Sequence, residues 1–148
     1  MPHVRQQVRD AVKTLLTGIT GVKTISGIRN HAFNATELPA IQVVTPSESA
    51  GLMHSDPVET RRDIQVDVSV WALGNDGIDD VLDDIAAQVE TRILTATGGI
   101  WDQGSGVYMV EPTGATLNRG EAAEETAMVL TTRFRVALQA SNPETIGD

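Results

Sequence analysis

Residues 61–73, RRDIQVDVSVWAL, decide the fold. Ile64, Val66, Val68, Val70 and Ala72 alternate with Asp63, Gln65, Asp67 and Ser69. Strict alternation places the two sets on opposite faces of a β-strand. One face is therefore buried, and the other is wet or meets a partner, as in an antiparallel sheet covered on one side. The cluster Gly74-Asn75-Asp76-Gly77 that follows predicts a turn. Beyond it Ile78, Val81, Leu82, Ile85, Ala86, Val89 and Ile93 recur at helical period, predicting an amphipathic helix over 78–95. Asp79 and Asp80 stand in its first turn, where the helix dipole favours negative charge.

Upstream, Val4, Val8, Ala11, Val12, Leu15 and Leu16 form one stripe and predict a helix over 2–17. Pro2 suits its first turn and Gly18 its stop. Arg5, Arg9 and Lys13 repeat every four residues and make a basic ridge beside the stripe. A short strand is predicted within 22–30 and a second over 38–45. Residues 46–60, PSESAGLMHSDPVET, contain two prolines, a glycine and no period. They predict a long mobile loop, with Leu52 and Met53 as an adaptable contact that orders against a partner. Downstream, a Gly-rich loop covers 96–106, and strands are predicted over 107–116 and 125–139. Arg133 and Arg135 share the face opposite Phe134 and Val136. The order α-β-β-β-α-β-β predicts an α+β fold: a mainly antiparallel sheet of about five strands carrying an N-terminal helix and a second amphipathic helix. Residues 1–140 form the predicted single domain, and 141–148 a disordered tail.

The chain has 148 residues, no cysteine and 41% apolar residues. This is the composition of one globular domain with no disulfide framework, thiolate metal site or cysteine nucleophile. No apolar run approaches the roughly 18 residues of a membrane span, and no signal peptide is visible. A soluble intracellular domain is expected. The net charge is −9, and it is segregated. Residues 1–36 carry five basic side chains against Asp10 alone, which leaves six of the 11 basic and 19 of the 20 acidic residues for 37–148. An acidic body with few aromatics excludes a sequence-reading nucleic-acid binder and a base-stacking platform.

No catalytic constellation emerges. Asp79, Asp80, Asp83 and Asp84 spell a DDxxD pattern, which in isoprenoid synthases holds magnesium diphosphate, but that chemistry needs a deep helical cavity this short, β-rich chain lacks. The four read as helix-start and solvated-face residues. His3, His31 and His54 lie in separate segments without metal-ligand spacing. Ser105 lacks the glycines of a nucleophile elbow, and Gly98-Gly99 lacks a phosphate-loop pattern. Neither a cofactor nor a catalytic or metal-ligating residue is expected.

The ordered elements resemble a known family. They are the helix ending AVKTLLTG at 11–18, Gly-Ile-Arg at 27–29, and the strand Leu38-Pro39-Ala40-Ile41-Gln42-Val43. Glu48 follows, then Arg61-Arg62 before the alternating strand, and the acidic helix with Asp80, Leu82, Asp83, Ile85, Ala86, Val89 and Glu90. Together, over about residues 5–140, they resemble the tail terminator (minor tail protein U-like) proteins of long-tailed bacteriophages. That resemblance implies a structural, non-enzymatic virion protein at the tail–neck junction, assembled in the host cytoplasm. It implies a hexameric ring that caps the tail tube, stops its polymerisation and meets the head-side connector, while DNA passes its channel without specific binding. The expected contact residues are Arg5, Arg9, Lys13, Leu52, Met53, Trp71, Asp79, Asp80, Asp83, Asp84, Arg133 and Arg135. Two alternatives are a head–tail connector or tail-completion protein, and a small metal-dependent enzyme using Asp79–Asp84.

Overall fold

The computed structural model describes residues 3–29, 32–55, 58–74, 76–102, 106–121 and 126–146. Pro2, His31, Asn75, Ser105 and residues 147–148, each read from the sequence above, lie outside the described residues, as does the side chain of His54. The chain is α+β. Helix α1 (Val4–Leu15) precedes strands β1 (Thr24–Ser26), β2 (Ala40–Ser55) and β3 (Val58–Leu73). Helix α2 (Ile78–Leu94) comes next, then β4 (Val107–Glu121), β5 (Thr126–Asn142) and the two-residue β6 (Thr145–Ile146). The strands form one sheet in the order β1-β2-β3-β5-β4, with β6 beside β5. Among the described residues only the β1–β2 pair is parallel.

The alternation in β3 does what its spacing predicts. Ile64, Val66, Val68, Val70 and Ala72 are buried, and they join Phe134, Val136 and Leu138 of β5 in one core. Both helices lie on that face. Val4, Val8, Val12 and Leu16 enter the core from α1, and Leu82, Ile85, Val89 and Ile93 enter from α2. Complete burial of each such side chain contributes about 1.5–3 kcal/mol, so this single face supplies the main favourable term in folding, which offsets the entropy of ordering the chain. Helix α1 packs over β2, and α2 packs over β3, β5 and β4.

Local chemistry sets the helix ends. The His3 ring accepts the Arg5 amide at α1's N-terminus. Gly77, at φ 79°, opens α2 in a left-handed conformation that a side chain would strain. At α1's C-terminus the Arg92 guanidinium, from α2, donates to the Leu15 carbonyl at 3.1 Å and the Thr17 carbonyl at 2.6 Å. Carbonyls there lack intrahelical partners, so a cation from the second helix satisfies them.

Three expectations from the sequence are corrected. Residues 46–55 and 58–60 are not loop; they extend β2 and β3 into a long hairpin arm. Pro46 does not break β2 because it falls in a bulge, between the pairs Val44↔Asp67 and Ser47↔Gln65, where a missing N–H costs little. Likewise β4 continues past Thr116 to Glu121, with Pro112 beside a bulge whose extra residue is Thr113. Nor are residues 141–146 a disordered tail. The Val4 amide donates to the Pro143 carbonyl at 2.7 Å, and Gln7 Nε2 donates to the Glu144 carbonyl at 2.6 Å. The segment is held by the helix it folds back upon.

Candidate functional site

The second face of the sheet carries a cross-strand set of ionic side chains. Arg135 Nε donates to Glu111 Oε1 at 2.8 Å, while its Nη1 lies 3.6 Å from Asp63. Arg133 donates to Thr116 Oγ1 at 2.8 Å and lies 3.9 Å from Asp67. Gln65 bridges Ser47 and Asp67, and the hydroxyls of Ser69 and Thr131 meet at 2.8 Å. Arg133 and Arg135 are thus half-buried members of a cross-strand network of alternating charge. Cross-strand opposite charges of this kind stabilise a sheet modestly, so much of their charge is already matched within the protomer.

Trp71 sits at the other end of this face. Its ring packs on Phe33 at 5.5 Å, tilted by 57°, in a small cluster with Leu38, Ala40, Ala127 and Leu73. The Arg29 guanidinium lies 4.3 Å over the Phe33 ring and pairs with Glu37 at 2.9 Å. Trp71 is therefore half-buried, with part of its ring surface taken up by the chain's own Phe33. Its Nε1 is buried with no hydrogen-bond partner among the described residues.

The basic ridge of α1 divides. Arg5 is exposed. Arg9 is half-buried and donates to Thr45 Oγ1 at 3.1 Å, tying α1 to β2. Lys13 is half-buried close to Gly27. With Ile28 and Val44, these side chains line a shallow basic recess of about 390 Å³ at the β2 border. Ile28 is 82% exposed there.

On the opposite flank, α2 presents Asp79, Asp80, Asp83 and Asp84, all exposed. Among the described residues, no three His, Asp or Glu side chains gather as a metal site would require. The structure therefore spreads these carboxylates along a helix and does not focus them on a point. The sheet thus has a basic border under α1 and an acidic helix toward its β4 side.

Leu52 and Met53 are exposed near the end of the hairpin arm, 65% and 45% respectively. The sequence reading missed a second apolar surface. Ile93 and Leu94 of α2, Trp101 of a short 3-10 turn (Gly99–Trp101), and Val107, Tyr108 and Met109 of β4 line a groove of about 390 Å³. Leu94, Tyr108 and Met109 are 46%, 53% and 37% exposed. A signal was present: four successive apolar residues, Val107-Tyr108-Met109-Val110, interrupt the alternation a one-sided strand requires. The register confirms the interruption, because Val107 pairs with Leu138 and Met109 with Ala137, leaving Tyr108 as the extra residue of a bulge. No protein-family model and no curated protein matches this chain.

Proposed function

We propose that this chain is a structural virion protein, a tail terminator whose ring caps the tail tube, stops its polymerisation and joins the tail to the head-side connector. The observation that carries this reading is the inequality of the two lateral borders. The β2 border bears α1 with Arg5, Arg9 and Lys13; the β4 side bears α2 with four exposed aspartates and an apolar groove. Unlike borders make heterologous, head-to-tail contacts, and a rotation that closes such contacts makes a ring. The resemblance in element order to the tail terminator family sets the expected ring at six copies and its neighbours as the tail tube protein and the connector. An acidic protein suits a channel that DNA must cross without sticking, since like charges repel. On this reading the chain is not an enzyme, and it acts at the tail–neck junction of the virion.

Negative-stain imaging of the purified protein, alone and mixed with polymerising tail tube protein, tests the proposal. Rings, and tubes of arrested length bearing a ring at one end, are the expected images. A monomer at high concentration under both conditions, with tube growth unaffected, overturns the reading.

A further inference from the structure

Two exposed apolar features share an unusual construction. On β2, Leu52 pairs with Thr60 and His54 with Glu59, so Met53 is the extra residue of a bulge. On β4, Tyr108 is the extra residue of another. Bulges re-aim side chains at sheet edges, and here each turns an apolar side chain outward. The two also lie at the same end of the sheet. Thr60, opposite Leu52, pairs with Ala140 of β5; Leu138, two residues away, pairs with Val107. Two residues of strand amount to about 7 Å of level, and the three intervening strand spacings to about 14 Å of breadth. Met53 and Tyr108 thus stand on opposite outer strands at nearly one height.

Resting on the ring reading, we infer that the subunit contact seats Leu52 and Met53 of one copy in the groove of Leu94, Trp101, Tyr108 and Met109 of the next. The occupant of the groove is a second copy of this chain. A sideways displacement along the hydrogen-bonding direction brings the arm's outer strand to the neighbour's β4. The same displacement carries the basic α1 border toward the neighbour's acidic α2, so apolar and ionic matching coincide. A copy joined through the same border about a two-fold axis would instead set arm against arm, with neither groove filled and like-charged helices together. Methionine in the knob and on the groove wall lets the two surfaces adapt to each other. The bulges limit the contact's extent, since they interrupt the edge ladder that would otherwise pair strand on strand without end.

The absence of cysteine from the natural sequence makes a clean test possible. Two single-cysteine proteins, Met53→Cys and Met109→Cys, are mixed and oxidised, with Leu117→Cys as a control from the far end of β4. The expected product is a 53–109 disulfide in the mixture, with neither protein cross-linking to itself. A chain carrying both changes is expected to give a ladder of covalent multimers that stops at the ring. Separately, Leu52→Ser with Met53→Ser is expected to weaken self-association by about tenfold or more, the effect of losing an interface hot spot. Its circular dichroism should match the parent's, because both side chains are already exposed. Rings that form without the 53–109 disulfide, or with 53–53 or 53–117 linkage instead, overturn this contact and leave the ring reading standing. Monomers in every condition, tube protein included, overturn both.

Discussion

The two faces of β3 are built from the same sixteen-residue strand and held by different physics. Toward the helices, Ile64, Val66, Val68 and Val70 are removed from water completely. Away from them, Asp63, Gln65, Asp67 and Ser69 are half-buried and matched to partners on β2 and β5. The first face is non-directional and worth kilocalories per side chain. The second is directional, salt-sensitive and worth tenths to about one kilocalorie per pair. The difference teaches that the molecule's stability and its surface chemistry can be altered almost independently.

The largest expected effect falls on the apolar face. Phe134 is fully buried at its centre, and Phe134→Ala should cost about 3–5 kcal/mol by urea unfolding, from lost transfer energy plus a cavity. A loss below about 1 kcal/mol would break the comparison, since that face would not be dominant.

The next sharpens it, because one ion pair lies at the end of the apolar face. Arg62 follows the parity of Ile64 and contacts Glu48 at 3.0 Å, with each side chain only 11% exposed. Glu48 Oε2 is buried without a partner among the described residues. Arg62→Ala should cost about 3 kcal/mol by stranding that carboxylate, whereas Arg62→Met with Glu48→Leu should stay near the parent. If the double variant is as unstable as the single, the pair contributes more than the desolvation it offsets.

On the polar face, Arg135→Ala should cost under about 1 kcal/mol, since its partners Asp63 and Glu111 keep contact with water. Thermal melts at low and high salt should converge, because salt screens the lost pairs in the parent. Smallest of all, Arg5→Glu should change monomer stability by no more than about 0.5 kcal/mol, Arg5 being exposed. Sedimentation should nevertheless show weaker self-association, most evident at low salt. Arg9→Glu is a less clean probe, because it also removes the bond to Thr45.

The sequence announced β3, both helices and the antiparallel order because each depends on local periodicity: two for Ile64 to Ala72, and 3.6 for Val4 to Leu16 and for Leu82 to Ile93. It concealed the arm. Pro46 and Gly51 argue for a loop when only neighbours along the chain are counted, and the strand pairing that satisfies this segment comes from residues 58–65. Of the twelve contact residues expected, the exposed ones (Arg5, Leu52, Met53 and the four aspartates of α2) were legible from their polarity or isolation. The partners of Trp71, Arg133 and Arg135 were not. Phe33, Glu111, Asp63 and Asp67 reach them through a register set between distant strands. The groove escaped because its lining draws on three elements, of which only Tyr108-Met109 leaves a mark in one dimension.

Helix α1 is fastened at both ends by residues far along the chain. Its first amide is held by Pro143, and its last carbonyls by Arg92, 77 residues beyond Leu15. During synthesis the chain emerges from its N-terminal side, so β2 is the first element able to cover the apolar stripe of α1, whereas Arg92 and Pro143 fasten the helix ends only later. Closing such long loops is slow and is rewarded only on completion. A chain lacking Pro143 and Glu144 would therefore carry a basic helix whose first turn is loosely seated. The seating of α1 is thus secured by contacts made late in the chain, and loss of the 143–144 contacts is expected to open the first turn of α1 before the strands of the sheet.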